Sequence, residues 1–224
     1  MLWTAISLFF CWLIYRELRR KHTPRIGFDA PDTSPVYKPY VALLLVLALA
    51  TAAPPLNSWR MGRLFGAVAT QLAEGRPAKV HCNTIFDTWF DQHVFAAAYA
   101  NFDTGEIVVQ YPWCRRIMDY RSHPERASPS ALHSLHLLTH ESMHVRGERN
   151  EAITECQALQ RNFRTARLLG VTERTARQNA ADLYSRYRQR QLTAVGMQLP
   201  YFSEDCAPGR ALDERLADPP WGSP

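Results

Sequence analysis

The sequence predicts an α+β fold: a mainly helical domain with a small β-hairpin or sheet, preceded by two transmembrane helices. Three observations lead there. Two uncharged apolar runs open the chain, at 2–15 and 40–53; four later stretches combine capping residues with helical spacing; and one β-branched run adjoins a turn signal. At 224 residues, 46% hydrophobic and 21% charged, the chain is long enough for one well-cored domain with appendages. Its 15 Pro and 10 Gly form no repeat, which excludes collagen-like and solenoid architectures.

The apolar runs come first. Each would span roughly 21 Å as helix, short of the roughly 30 Å hydrocarbon core of a bilayer. Tyr15 and Arg16 after the first run, and Tyr37, Lys38 and Tyr40 at the start of the second, can extend them by snorkelling. Neither run has the polar face of a soluble helix. The loop between them, 16–39, holds six basic residues (Arg16, Arg19, Arg20, Lys21, Arg25, Lys38) against three acidic ones (Glu17, Asp29, Asp32). The positive-inside rule therefore places it in the cytoplasm, and Pro24, Pro31, Pro35 and Pro39 make it a linker. Everything after Pro54 would then lie outside. A cleaved signal peptide ending at Ala50-Thr51-Ala52 is a rival reading that puts the domain in the same compartment. Removing the loop from the totals of 26 basic and 21 acidic residues leaves 20 against 18, so the net charge of +5 is no nucleic-acid signature. The expected organisation is a membrane anchor at 1–56, an extracytoplasmic domain at 57–208 and a loose, Pro-rich tail at 209–224.

Within the domain, Asn57 or Ser58 caps a helix running to Glu74, with Met61, Leu64, Phe65, Val68 and Leu72 as its apolar stripe and Gly75 and Pro77 as its stop. Residues 94–111 read as a hairpin about Asp103-Thr104-Gly105, with Ile107-Val108-Val109 in its second strand. Ser128 or Ser130 starts a helix that ends near Gly147; Asn150 caps a second, ending before Gly170; Thr172 starts a third, reaching about Gln191. Cys82, Cys114, Cys156 and Cys206 all fall in the outer part, where an even number suggests two disulfides. Of three pairings, Cys82–Cys114 with Cys156–Cys206 is preferred because each pins a loop-rich segment to the core. Four buried thiols is the alternative.

Residues 140–144 read His140-Glu141-Ser142-Met143-His144, an HExxH pattern. On a helix, positions i and i+4 share a face, so both imidazoles can reach one ion. Glu141 can then act as general base on an activated water. Chance gives such a pattern roughly 0.01–0.02 times per chain of this composition, so context must carry it. Gly147 can turn the chain back, and Glu151 and Glu155 open the next helix one turn apart. Glu151 is the preferred third ligand, which completes a zinc (Zn2+) set of two His and a carboxylate. Glu155 is read as orienting a ligand His through its other ring nitrogen, or alternatively as the third ligand itself. A plain solvated helix start is the bland reading of both. Cys156, if disulfide-bonded, clamps this helix.

The segment resembles the zincin metallopeptidases, specifically the gluzincins. His140, Glu141 and His144 match their HExxH, and Asn150-Glu151-Ala152-Ile153-Thr154-Glu155 is similar to the Asn-Glu-Ala-Ile-Ser-Asp stretch of thermolysin-like enzymes. The resemblance implies a zinc-dependent peptidase with Glu151 on the metal, Glu155 behind a ligand His, and a peptide or protein substrate. It covers about 16 of 224 residues. Glu151 follows His144 by only seven residues, far closer than in thermolysin, and Asn150 stands where the metzincin pattern has its third His. The Arg and Ala bias and the layout look like membrane-anchored zincin-like proteins of high-GC bacteria, which implies the bacterial cytoplasmic membrane. The alternative function is a catalytically inactive zincin-like membrane protein serving as a binding or sensory module.

Among neighbours, His133 and His136 share the helical stripe of the motif. They are read as polar residues at the open end of the site, with a substrate or second-ion role for His136 as the rival. Residues 107–111 are either a strand edge that pairs with extended substrate or an ordinary core strand. Tyr111, Tyr184, Tyr187 and Tyr201 are all available as oxyanion donors.

Overall fold

The computed structural model describes residues 2–19, 38–193 and 201–221. The chain is mainly helical with a small sheet and divides into two compact units, Met1–Asn57 and Ser58–Pro224. Most of the loop expected at 16–39 lies outside the described residues.

In the N-terminal unit, α1 spans Leu2–Arg19, and Ser7 Oγ donates to the Ala48 carbonyl at 3.0 Å. Helix α2 spans Lys38–Leu72. It is the one helix among the described residues that is long and apolar enough to cross a membrane. α1 ends in Arg16, Glu17 and Arg19, and its apolar stretch is correspondingly short. The separate helix expected from Asn57 or Ser58 has no start of its own. Pro54 and Pro55 lie inside α2, although each removes a backbone donor from the ladder.

In the C-terminal unit, the last part of α2 buries Met61, Phe65, Val68 and Leu72, with Leu64 packed alongside. Strand β1 (Lys79–Cys82) follows, then the short helix α3 (Ile85–Trp89), β2 (Ala98–Asn101) and β3 (Glu106–Val109). The sheet order is β1-β3-β2, with β1 parallel and β2 antiparallel to β3. The hairpin is present, but β3 is the central strand, paired on both sides. It has no free edge for a substrate and is the core strand of the two readings; the edges are β1 and β2. Helix α4 (Trp113–Ser122) buries Cys114, Ile117 and Tyr120.

Helix α5 (Pro129–Arg146) starts at Ser128, whose side chain accepts from Ala131 N, and ends at Gly147. Helix α6 (Glu151–Leu168) starts at Asn150, whose side chain accepts from Ile153 N, and α7 spans Glu173–Thr193. α5 is the central element, in contact with α4, α6, α7, β2 and β3. Helix α6 crosses it with a buried hydroxyl pair, Thr139 to Thr165, at 2.8 Å.

Two disulfides are present, Cys82–Cys114 and Cys156–Cys206, the pairing preferred from the sequence. The tail expected to be loose from Gly209 is docked through Trp221. Glu214 pairs with Arg161 and Arg146, Asp218 takes two hydrogen bonds from Arg164 at 2.7 and 2.9 Å, and Gln160 holds the Leu212 carbonyl at 2.9 Å. Arginines spaced along α6 find carboxylates more than fifty residues away, which no local pattern announces.

The Cys156–Cys206 bond closes a separation of 50 residues. Loop-closure entropy assigns such a link about 4 kcal/mol. Cys206→Ser is expected to lower stability by about that amount. Amide exchange should also lose its protection at Glu214, whose N–H donates to Gln160 at 2.9 Å. Unchanged protection there would show that the ion pairs alone hold the tail.

Candidate metal centre

The site is built on one helix–turn–helix. α5 carries His136, His140 and His144 at successive turns, which aligns them on one face. The turn after α5 is set by its own residues. Gly147 has φ +126°, a conformation that a side chain would strain, and the Glu148 N–H returns to the Met143 carbonyl at 3.2 Å. The Glu148 carboxylate accepts from the N–H groups of Arg149 and Asn150 at 2.9 and 2.8 Å. Asn150 then caps α6, which places Glu151 and Glu155 opposite the histidines.

Each motif histidine has one ring nitrogen committed. His140 Nδ1 donates to Glu155 Oε2 at 3.0 Å, and His144 Nδ1 donates to the Glu148 carbonyl at 2.8 Å. Both Nε2 atoms therefore present lone pairs, and both face the same oxygen: Glu151 Oε2 lies 3.1 Å from His140 Nε2 and 3.4 Å from His144 Nε2. The ligand atoms of these three residues lie within 4.8 Å of one another. Lone pairs crowded this way in a mostly buried site call for a cation, either a proton or a metal ion. The His/Glu cluster can hold a metal ion.

Glu155 also accepts from His136 Nε2 at 2.9 Å, and Asn162 Nδ2 donates to His136 Nδ1 at 3.0 Å. His136 is thus a buried prop for Glu155 on the lining of the cleft, where His133 also lies. Sequence reasoning missed Asn162 and this role of His136; the i, i+4 stripe that held His136 was the only signal. The geometry also yields a second group, His136, His140 and Glu155, within the same distance limit. That group would need His140 Nδ1, which Glu155 already occupies, so the first group is the better cation site.

The electrostatics follow the burial. For Glu155, burial works to raise the pKa, but the charges and hydrogen bonds of His136 and His140 outweigh it and hold the carboxyl well below its usual range. For His140, burial works to lower the pKa, yet the hydrogen bond to Glu155 and the charges of Glu141, Glu155 and Glu151 raise it. Glu141 is 6% exposed. Burial pushes its pKa up to about 7, with Glu151 adding to the shift and His140 opposing it.

A cleft of about 680 Å³ opens over these residues. Glu141, His140, His144 and Glu151 line its floor, β2 and Phe102 one wall, and Tyr187 and Tyr201 are among the residues opposite. Of the four candidate tyrosines, Tyr111 and Tyr184 are not on the cleft. Tyr187 is committed, its hydroxyl accepting from Ser203 N at 3.1 Å. The Tyr201 ring lies 5.9 Å from that of His140. Cys156 is disulfide-bonded and takes no part as a ligand. His81 pairs with Glu106 at 2.8 Å and His93 rests on Tyr99, and neither is among the residues that line the cleft.

Comparison with known protein families, curated proteins and solved structures found no match to this chain.

Burial of Glu141 has a measurable consequence in the metal-free protein. Its folded pKa of about 7 lies above the ordinary value of 4.5, so the folded state binds the extra proton between those values. Stability therefore falls as pH rises through that window, by about 3 kcal/mol for a shift of this size. Glu141→Gln removes the titration. With chelator present, the variant should melt higher than wild type at pH 8 and close to it at pH 4.5. Equal melting at both pH values would show that Glu141 is solvated.

Proposed function

We propose that this chain is a membrane-anchored, zinc-dependent peptidase with a compact gluzincin-like centre. His140, His144 and Glu151 hold the metal and Glu141 is the general base. The observation that carries this reading is the convergence of two Nε2 atoms and one carboxylate oxygen, with both Nδ1 atoms already committed elsewhere. Two imidazoles and one carboxylate suit zinc, whereas magnesium and calcium take oxygen sets. Zinc bound there supplies Lewis acidity to a water and to a peptide carbonyl. The peptide nature of the substrate rests on the resemblance of 140–155 to gluzincins.

The chain's own residues divide the remaining work. β2 is one of the two edge strands of the sheet and lines the cleft, so an extended peptide can add to it as a further strand. Tyr201 supplies a phenol on the opposite wall, where it can donate to the carbonyl oxygen as negative charge develops. Glu141 removes a proton from the attacking water as the water oxygen bonds to the carbonyl carbon. It then delivers that proton to the amine nitrogen as the C–N bond breaks. Glu155, anchored by His136, keeps His140 in the tautomer and orientation that binding requires.

α1 and α2 together form the anchor in this reading. The basic loop at 16–39 faces the cytoplasm of a bacterial cell and the C-terminal unit lies outside the membrane. Two disulfides in the C-terminal unit fit an oxidising compartment.

Elemental mass spectrometry of the full chain in detergent tests the centre. Near-stoichiometric zinc is expected in wild type and Glu141→Gln, with loss in His140→Ala and Glu151→Ala. Glu155→Ala should keep the metal with affinity weakened about 10–100-fold. No zinc in folded protein overturns the reading, and zinc retained in Glu151→Ala moves the third ligand to Glu155.

Hydrolysis is tested separately. Glu141→Gln should lower peptide cleavage by about 10²–10⁴-fold without loss of zinc. Zinc-loaded wild type that cleaves no peptide would favour the binding or sensory module.

A further inference from the structure

Helix α3 is amphipathic in the opposite sense to a water-facing helix. Its polar residues turn inward: Thr88 is buried, with its hydroxyl accepting from Tyr111 N at 2.8 Å, and Thr84 and Asp87 close a capping box. Its apolar residues turn outward. Trp89 is 76% exposed, Phe90 80% and Phe95 100%, with Ile85 exposed beside them. The segment is pinned in this arrangement, because the Asp91 carboxylate accepts from Asn83 Nδ2 at 3.1 Å, Tyr99 OH at 3.0 Å and His93 N at 2.7 Å. Exposed aromatic side chains gathered within one short segment, held outward by inward polar bonds, mark an interaction site.

Its position identifies the partner. Cys82, Val109 and Ala98 are level at one end of the sheet, and Asn83 N and Gln110 N bond across that end, so 83–97 projects from it. A Cβ placed on Gly62 of α2 would lie 2.4 Å from the Val80 carbonyl oxygen and 4.0 Å from Cys82 N. One on Gly66 would lie 3.3 Å from the Ala78 carbonyl oxygen. β1 therefore runs antiparallel to this part of α2. Ser58 precedes Gly62 by about one helical turn, ~6 Å. Ile85 follows Cys82 by at most ~10 Å of extended chain. The aromatic segment thus lies at the end of the C-terminal unit where the chain comes in from Asn57. Trp59 is exposed at that end, with the Arg63 guanidinium 5.2 Å from its ring centroid and Arg60 exposed next to it.

We propose that Trp59, Ile85, Trp89, Phe90 and Phe95 form a surface that seats in the boundary between headgroups and acyl chains of a phospholipid membrane. Aromatic rings are favoured at that depth, and Arg60 and Arg63 are placed to meet lipid phosphates. The apolar helix that directly precedes Ser58 selects lipid over a protein partner. The proposal rests on α2 being the membrane anchor and is independent of the metal chemistry. Phe95 also lines the metal cleft, so the seated surface adjoins the cleft mouth.

The test uses the full chain at one copy per nanodisc of phosphatidylcholine and phosphatidylglycerol. Trp89 emission is the difference between wild type and Trp89→Phe. Lipid brominated near the headgroup end of its acyl chains should quench that emission by more than half, and aqueous iodide should not reach it. Phe95→Trp in the Trp89→Phe background should restore a bromine-quenched signal. Emission open to iodide and blind to brominated lipid overturns the proposal. Emission shielded from both also overturns it, because a protein contact then covers the surface. The anchor is read separately by alkaline carbonate washing of vesicles. Release of the chain removes the membrane reading altogether, whereas a retained chain with iodide-accessible Trp89 removes the seating surface alone.

Discussion

One carboxylate oxygen sets how the two central helices meet. Glu155 Oε2 accepts from His136 Nε2 and His140 Nδ1, two donors one turn apart on α5, at 2.9 and 3.0 Å. Satisfying both at once allows one axial position of α6 against α5. A slide of one turn would leave a buried carboxylate and two buried imidazoles without partners, at a cost of several kcal/mol. The Thr139–Thr165 hydroxyl pair repeats the same register further along. Since α4, α7, β2 and β3 all rest on α5, the Glu155 register passes to the rest of the C-terminal unit. The same contact turns His140 so that its Nε2 faces Glu151. Packing and site geometry are therefore one constraint.

Stability alone would not place Glu141 where it is. Its carboxyl sits almost fully buried beside other acids and titrates near neutrality, so its charged form destabilises the metal-free fold above that pH. Glu155 shows what a stabilising buried carboxylate looks like here: two hydrogen-bond donors and a depressed pKa. The contrast between two glutamates at one site is the pattern expected when one has a structural task and the other a chemical one. A cation held by His140, His144 and Glu151 would offset the penalty on Glu141, which couples occupation of the centre to stability of the fold.

What was legible in the sequence was local. Ser128, Gly147 and Asn150 announce helix ends because their side chains, or the lack of one, act within three residues on the backbone. The His140–His144 spacing is legible because helical geometry alone puts both rings on one face. β1 and α3 were missed, being only four and five residues long, too short for any periodicity. α4 was missed because Arg115, Arg116, Asp119 and Arg121 mask the buried face of Cys114, Ile117 and Tyr120. Pro54-Pro55 reads as a helix boundary, yet α2 runs through it. The docked tail depended on ion pairs across more than fifty residues, and whether β3 was an edge or a core strand stayed open in the sequence because strand order is a property of the whole sheet.

The second disulfide joins these threads. Cys156 lies one residue after Glu155 on α6, and Cys206 lies in the segment that carries Tyr201. The bond therefore ties the helix that supplies Glu151 and Glu155 to the stretch of chain that supplies Tyr201. Without that bond the segment would still be held by Tyr187 at Ser203, by Tyr184 at the Cys206 carbonyl and by packing of Phe202 on Tyr187, but the position of Tyr201 over His140 would lose its nearest covalent support. In the extracytoplasmic peptidase proposed above, that wall of the cleft would be fixed only where the disulfide can form.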